Sequence, residues 1–160
     1  MRSLLCSLAL AASLAACAPA APPAAPDTAA IETAARAAHD DYVEAINSNN
    51  VDTLMGMLTD DVVYLSPHEP VLVGKAAVRA WSEAYFGAYE AKWDKTSEEF
   101  TVAGDWAIER YAYKSTDTPK AGGSVVIDTG KGINIYHHDA DGVWRIARDA
   151  WNSDLPLATK

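Results

Sequence analysis

Residues 91–151 read AKWDKTSEEFTVAGDWAIERYAYKSTDTPKAGGSVVIDTGKGINIYHHDADGVWRIARDAW, and this stretch decides the fold. Its side chains alternate with a period of two, the spacing at which successive residues point to opposite faces of a pleated sheet. Strands are predicted over residues 91–102, 106–115, 124–138 and 143–151. The breaks between them are hairpin signals: Ala103-Gly104-Asp105, then Thr118 to Gly123 (TPKAGG), then Asp139-Ala140-Asp141-Gly142. Short polar connections join antiparallel neighbours, so the second half of the chain is a meander.

Upstream the period changes to that of a helix. Asp27 or Thr28 can cap a helix with Glu32 in its first turn, and Ile31, Ala35, Ala38, Tyr42, Ala45 and Ile46 recur at three- and four-residue steps. That stripe ends near Asn47-Ser48-Asn49-Asn50. A second, short helix carries Leu54, Met57 and Leu58. Val62 to Leu65, β-branched and aromatic, reads as a strand stopped by Ser66-Pro67, and Val71 to Gly74 as a short strand or turn. From Lys75 to about Tyr89 the spacing is helical again, with Val78, Trp81, Tyr85 and Tyr89 on one face. Helices first and a meander after them make an α+β domain, its helices packed on one side of a curled sheet.

The first 27 residues read differently. Met1-Arg2-Ser3 supplies one positive charge and Leu4 to Leu14 an apolar run, the pattern of an export signal. Eleven residues of helix span only about 16 Å, against a hydrocarbon core of about 30 Å. Leu14-Ala15-Ala16-Cys17 resembles the lipobox of bacterial lipoproteins, which implies lipidation at Cys17. The expected division is a signal peptide over 1–16, a lipidated cysteine and Ala/Pro tether over 17–27, and a folded domain over 28–160. Pro-rich segments run extended at about 3.1 Å per residue, so the nine residues Ala18 to Pro26 would reach about 28 Å. The product would be an exported, membrane-anchored lipoprotein, on the periplasmic side in a Gram-negative cell. With Cys6 removed and Cys17 acylated, no thiol remains for a disulfide, a nucleophile or a metal site.

Composition narrows the chemistry. The 160 residues carry 13 Lys and Arg against 22 Asp and Glu, a formal charge of −9. That sign argues against a nucleic-acid partner, which requires a basic face. Walker, Gly-x-Ser-x-Gly and Gly-x-Gly-x-x-Gly patterns are missing, which removes the phosphate-cradle and serine-hydrolase classes. The four histidines, His39, His68, His137 and His138, have no His-x-His or His-x-x-x-His spacing, so neither a metal site nor another cofactor is expected.

Two candidate acid/base groups follow from context. Asp128 interrupts the apolar run Val125-Val126-Ile127 and Ile133 to Ile135, where enclosure would raise its pKa, although pairing with Lys131 at a bulge near Gly130 and Gly132 is the plainer role. His68, beside Glu69, follows Pro67 at the expected rim of a pocket. On the last strand Arg148 and Asp149 must face opposite ways unless a bulge intervenes. Alternation groups Asp149 with Arg145, Ala147 and Trp151, and Arg148 with Trp144 and Ile146; which group faces inward stays open.

Three segments carry a family resemblance: Asn47-Ser48-Asn49-Asn50-Val51-Asp52, Leu58 to Tyr64 (LTDDVVY) and Gly74-Lys75-Ala76-Ala77-Val78. In this order they resemble the NTF2-like superfamily. Asp128-Thr129-Gly130-Lys131 and the tail Asp141 to Asp154 (DGVWRIARDAWNSD) are similar to its DUF4440 / SnoaL-like, ketosteroid-isomerase-like branch. The resemblance implies a cone of N-terminal helices on a strongly curved, mostly antiparallel sheet, with a pocket open at one end and a homodimer through the outer sheet face. Tyr42, Tyr64, Trp81, Tyr85, Lys131, Asp149, Trp151 and Asn152 are the expected pocket residues. Three functions are compatible with it. One is a binding module for a small, partly apolar ligand. Another is a metal-free isomerase, cyclase or dehydratase using Asp128 or His68 as proton shuttle, with Tyr42 or Tyr85 donating to an oxyanion. The third is an assembly adaptor.

Overall fold

The computed structural model describes residues 28–156. The expected signal peptide, lipobox and tether lie outside them. The chain runs α1 (Thr28–Asn47), α2 (Val51–Gly56), β1 (Leu58–Leu65), β2 (Leu72–Val73), α3 (Lys75–Ala88), β3 (Tyr89–Ala103), β4 (Trp106–Pro119), β5 (Val126–His138) and β6 (Trp144–Ser153). The six strands form one sheet in the order β2-β1-β6-β5-β4-β3, antiparallel except where β1 lies parallel to β6. The α+β layout with N-terminal helices on a mostly antiparallel sheet is the one expected.

α1 buries Ala35, Ala38, His39, Tyr42, Ala45 and Ile46 against the sheet. Three of these are alanines, whose small side chains let the helix approach closely enough for Tyr42 to reach across the interior. Glu32 lies in the second turn rather than the first and pairs with Arg36. Leu58, expected to end α2, opens β1, where it is fully buried. The Asn47-Ser48-Asn49-Asn50 motif has a specific task. The Asn47 and Asn49 amides exchange hydrogen bonds of 2.7 to 2.9 Å with the backbone of Trp93 and Ala91, covering part of the free edge of β3. Asn50 caps α2 by accepting from Thr53 N–H at 3.1 Å.

Two irregularities shape the sheet. β3 slips register between Ser97 and Glu99, and β6 slips against β5 where Ile135 pairs with Arg148 but Tyr136 pairs with Ile146. The extra residue in β6, Ala147, reverses the alternation. Trp144 and Ile146 before it, and Asp149 and Trp151 after it, therefore all turn to the helix side. Gly130 and Gly132 do not mark a bulge: β4 pairs regularly through both, Tyr113 with Gly130 and Tyr111 with Gly132. A Cβ on Gly132 would sit 2.4 Å from the Tyr111 hydroxyl, and one on Gly130 2.6 Å from the Tyr113 ring. The glycines leave space for two tyrosines that lie across β5.

Candidate functional site

The concave face is polar in layers. β4 sends Glu109, Tyr111, Tyr113, Ser115 and Asp117 inward from its closed to its open end, and β3 adds Trp93 and Lys95. At the closed end Glu109 is fully buried, with His39 Nδ1 2.7 Å from its Oε1 and the Tyr136 hydroxyl donating to its Oε2 at 2.7 Å. Burial pushes the Glu109 carboxyl up, but His39 and Tyr136 outweigh it and hold the pKa below the ordinary value.

Asp149 forms the middle layer and is 4% exposed. The Tyr42 hydroxyl donates to its Oδ2 and the Tyr111 hydroxyl to its Oδ1, both at 2.8 Å. Lys95 Nζ stands 3.9 Å from Oδ2 and 3.6 Å from the Tyr111 ring centroid, with the Lys95 side chain 1% exposed. Burial, then the charge of Asp149, pushes Tyr42, Tyr64 and Tyr111 above their ordinary range, so all three stay protonated at neutral pH. Since Tyr42 spends its proton on Asp149, the 2.7 Å contact between Tyr42 and Tyr64 has Tyr64 as donor. Tyr64, Tyr42 and Asp149 thus form a directed chain ending on the carboxylate. Burial pulls the Lys95 ammonium down against the opposing pull of Asp149 and Glu109.

Asp149 and Lys95 border a void of about 30 Å³, also walled by Tyr42, Tyr64, Trp81, Tyr85, Trp93 and Trp151. It has room for a water or two rather than for an organic molecule. Trp81, Tyr85, Trp93 and Trp151 are shared with a second cavity of about 850 Å³ that opens outward between Pro67, His68, Asp117, Asp128 and Leu155. Trp81 stacks on Tyr85 with centroids 5.2 Å apart, and Trp151 meets both Trp81 and Trp93 edge-on at 6.3 Å. This aromatic collar separates the outer chamber from Asp149. Tyr85 is fixed by donating to Asp117 at 2.6 Å while accepting from the Trp93 indole at 3.1 Å.

Tyr42, Tyr64, Trp81, Tyr85, Asp149 and Trp151, expected from the sequence, are brought together on these walls. Asp128 and His68 lie on the rim of the outer chamber, away from Asp149. Asp128 accepts hydrogen bonds from Tyr113 at 2.8 Å and Ser153 at 2.6 Å and makes no pair with Lys131. Lys131 and Asn152, expected in the pocket, lie outside it. Alternation across the glycines turns Lys131 to the convex face, where it pairs with Asp154, and Asn152 is exposed beside it. Arg148 also faces outward, reaching Asp61 at 3.3 Å.

Lys95, Glu109, Tyr111, Tyr113, Trp93 and Asp117 were not singled out from the sequence. The available signal was the even spacing of Glu109, Tyr111, Tyr113 and Asp117 on one face of β4. It is masked because Ile108 and Ala112 occupy the opposite face, so hydrophobicity points the wrong way. Among the described residues no three His, Cys, Asp or Glu side chains gather as a metal-ligand group.

This geometry has relatives. A solved ketosteroid isomerase-like protein from Erwinia carotovora atroseptica is 26% identical, with 78% of this chain and 97% of that chain covered and a TM-score of 0.71. A conserved protein from Planctomyces limnophilus is 28% identical over 78% of this chain and 98% of its own, also at 0.71. An NTF2-like superfamily protein from Salmonella enterica, 15% identical, superimposes over 82% of this chain and 96% of its own with a TM-score of 0.65, a likeness of fold. No curated protein matches the sequence. The profile of the SnoaL-like domain covers residues 39–148, which spans the cone from α1 to β6. That match runs from the middle of α1 to the middle of β6 and takes in α2, α3 and β1 to β5, so the chain belongs to the SnoaL-like domain family and has the NTF2-like fold.

Proposed function

We propose that the protein binds a small, partly apolar organic molecule in the outer chamber of the cone. The observation carrying this is the chamber itself: about 850 Å³ open to solvent, with Trp81, Tyr85, Trp93 and Trp151 forming its floor. Aromatic walls with a few fixed polar groups are the usual composition of a small-molecule site. Titration with N-phenyl-1-naphthylamine tests it. Saturable quenching of tryptophan fluorescence, weakened by Trp151→Ala, is expected; quenching that never saturates overturns it.

A second function is favoured by a specific observation, the carboxylate of Asp149 held by two phenols beside Lys95. A carboxylate so oriented can take a proton from carbon once the collar of Trp81, Tyr85, Trp93 and Trp151 parts to admit the substrate, and Lys95, whose ammonium at 3.9 Å makes no hydrogen bond to Asp149, can stabilise the oxyanion that forms. Proton-transfer chemistry of the isomerase, cyclase or dehydratase kind would then centre on Asp149 rather than on Asp128 or His68. The Erwinia relative's description as ketosteroid isomerase-like supports this direction. Its test is hydrogen–deuterium exchange at the α-carbon of enolisable ketones in D₂O: wild type accelerates it and Asp149→Asn does not.

Two features of setting belong to the same proposal. Cys17 would carry the lipid that tethers an exported domain to the membrane, supported by the Leu14-Ala15-Ala16-Cys17 sequence. A homodimer would form through the convex sheet face, supported by the exposed apolar side chains Trp106, Ile108 and Ile133.

A further inference from the structure

The polar groups of the outer chamber have a one-sided character. Of the described residues that line it, none is lysine or arginine and one, His68, is an ionisable base, while Glu69, Asp117 and Asp128 are acidic, the last two facing it between tryptophan and tyrosine rings. Neither carboxylate has a cationic side chain within 4.0 Å among the described residues. That sets them apart from Asp139 and Asp141 on the β5–β6 turn, which share Arg145 at 2.9 and 2.8 Å. Their partners are neutral hydroxyls: Tyr85 for Asp117, and Tyr113 and Ser153 for Asp128. The hydroxyls orient the carboxylates without cancelling their charge. Burial, with the charge of Asp128 adding to it, pushes the Asp117 carboxyl above its ordinary range. Two like charges therefore share one half-buried, aromatic-walled space, and the field there favours a positive occupant.

We propose, resting on the binding function above, that the occupant of this chamber is an organic cation, an ammonium group on an apolar body. A bare metal ion suits the site poorly. A hard cation needs about six or more oxygen ligands, yet both oxygens of Asp128 and one of Asp117 already accept hydrogen bonds, and the remaining wall is aromatic. Tryptophan and tyrosine rings instead attract an alkylammonium through their π faces. The body of the ligand would lie against Trp81 and Trp151 and its charge between Asp117 and Asp128.

The test compares two probes of the same shape, phenyltrimethylammonium and tert-butylbenzene, by tryptophan fluorescence on the folded protein. The cation is expected to bind about tenfold more tightly or better. Its affinity should fall as NaCl is raised while that of tert-butylbenzene does not. Asp117→Asn and Asp128→Asn should each weaken the cation several-fold and leave the neutral probe unchanged. Equal affinity for the two probes would overturn the cation proposal and leave chamber binding standing. Saturable binding of neither probe would overturn both. Should a variant fail to fold, salt dependence of the wild type decides, and a salt-insensitive cation affinity counts against the proposal.

Discussion

The Tyr111 hydroxyl reaches Asp149 Oδ1 at 2.8 Å by lying directly over residue 132, where any side chain larger than glycine's hydrogen would occupy its space. A Cβ there would also sit 2.6 Å from the Ala150 carbonyl. Both obstacles belong to the interior, one a buried ring and the other backbone. The orientation of the central carboxylate therefore depends on a glycine in the neighbouring strand.

Gly132→Ala is accordingly expected to lower stability by about 1–3 kcal/mol, the usual range for overpacking a filled interior. Gly87→Ala, on α3 with nothing within 4 Å of its added methyl, is the control. It should raise stability by about 0.5–1 kcal/mol through helix propensity. Urea denaturation of both variants checks the pair, and equal effects would contradict the packing argument.

Lys95 and Asp149 are both removed from water, so deleting one leaves the other's charge without its partner. Lys95→Met and Asp149→Asn are each expected to cost about 3–5 kcal/mol. The double variant should cost clearly less than the sum, because no orphan charge remains. A double-mutant cycle measures this; simple additivity would mean that the 3.9 Å pair does not interact.

The β5–β6 turn gives the acid limb of stability. Hydrogen bonds from Arg145 and the Val143 N–H pull the Asp141 carboxyl down to about 2 from 3.8, and Asp139 is lowered as well, by His137 and Arg145 against the burial that raises it. A carboxyl lowered in the folded state stabilises above its unfolded pKa, and the contribution disappears as pH falls through the folded value. The melting temperature should therefore drop between about pH 4 and pH 2, and Arg145→Met should flatten that drop. Asp117 has the opposite sign, since its folded pKa is raised. Asp117→Asn should leave stability at pH 7 unchanged or higher.

The lipidation proposal predicts that the full chain fractionates with membranes and that Cys17→Ser releases it into the soluble exported fraction. Retention of the serine variant on membranes would refute acylation as the anchor. One acyl chain binds only marginally whereas several hold stably, so partial release of the wild type would indicate a single chain.

Dimerisation through the convex face predicts that Ile133→Glu, placing a charge at an apolar position 46% exposed, shifts the mass measured by light scattering from dimer towards monomer. A monomeric wild type would remove this proposal without touching the cone.

Element types and order were legible in the chain, because they depend on local periodicity: steps of three and four in α1 and α3, and steps of two in the meander. The pocket-facing aromatics Tyr42, Trp81 and Tyr85 were legible for the same reason, being on helical stripes whose buried side is the apolar one. The charged interior was not. Lys95 and Glu109 look locally like surface residues of a strand, while Ile108 and Ile133 look like core.

Only the tertiary structure decides which face of β3 to β6 is concave. Helix α1 covers that face, and Tyr136, Tyr111 and Tyr42 partner the buried carboxylates there. The bulge at Ala147 is the sharpest case. Alternation grouped Asp149 with Arg145, Ala147 and Trp151, and Arg148 with Trp144 and Ile146, but one extra residue in β6 splits both groups: Trp144, Ile146, Asp149 and Trp151 face inward while Arg145 and Arg148 face outward. Register depends on pairing between distant segments, and no short-range pattern encodes it.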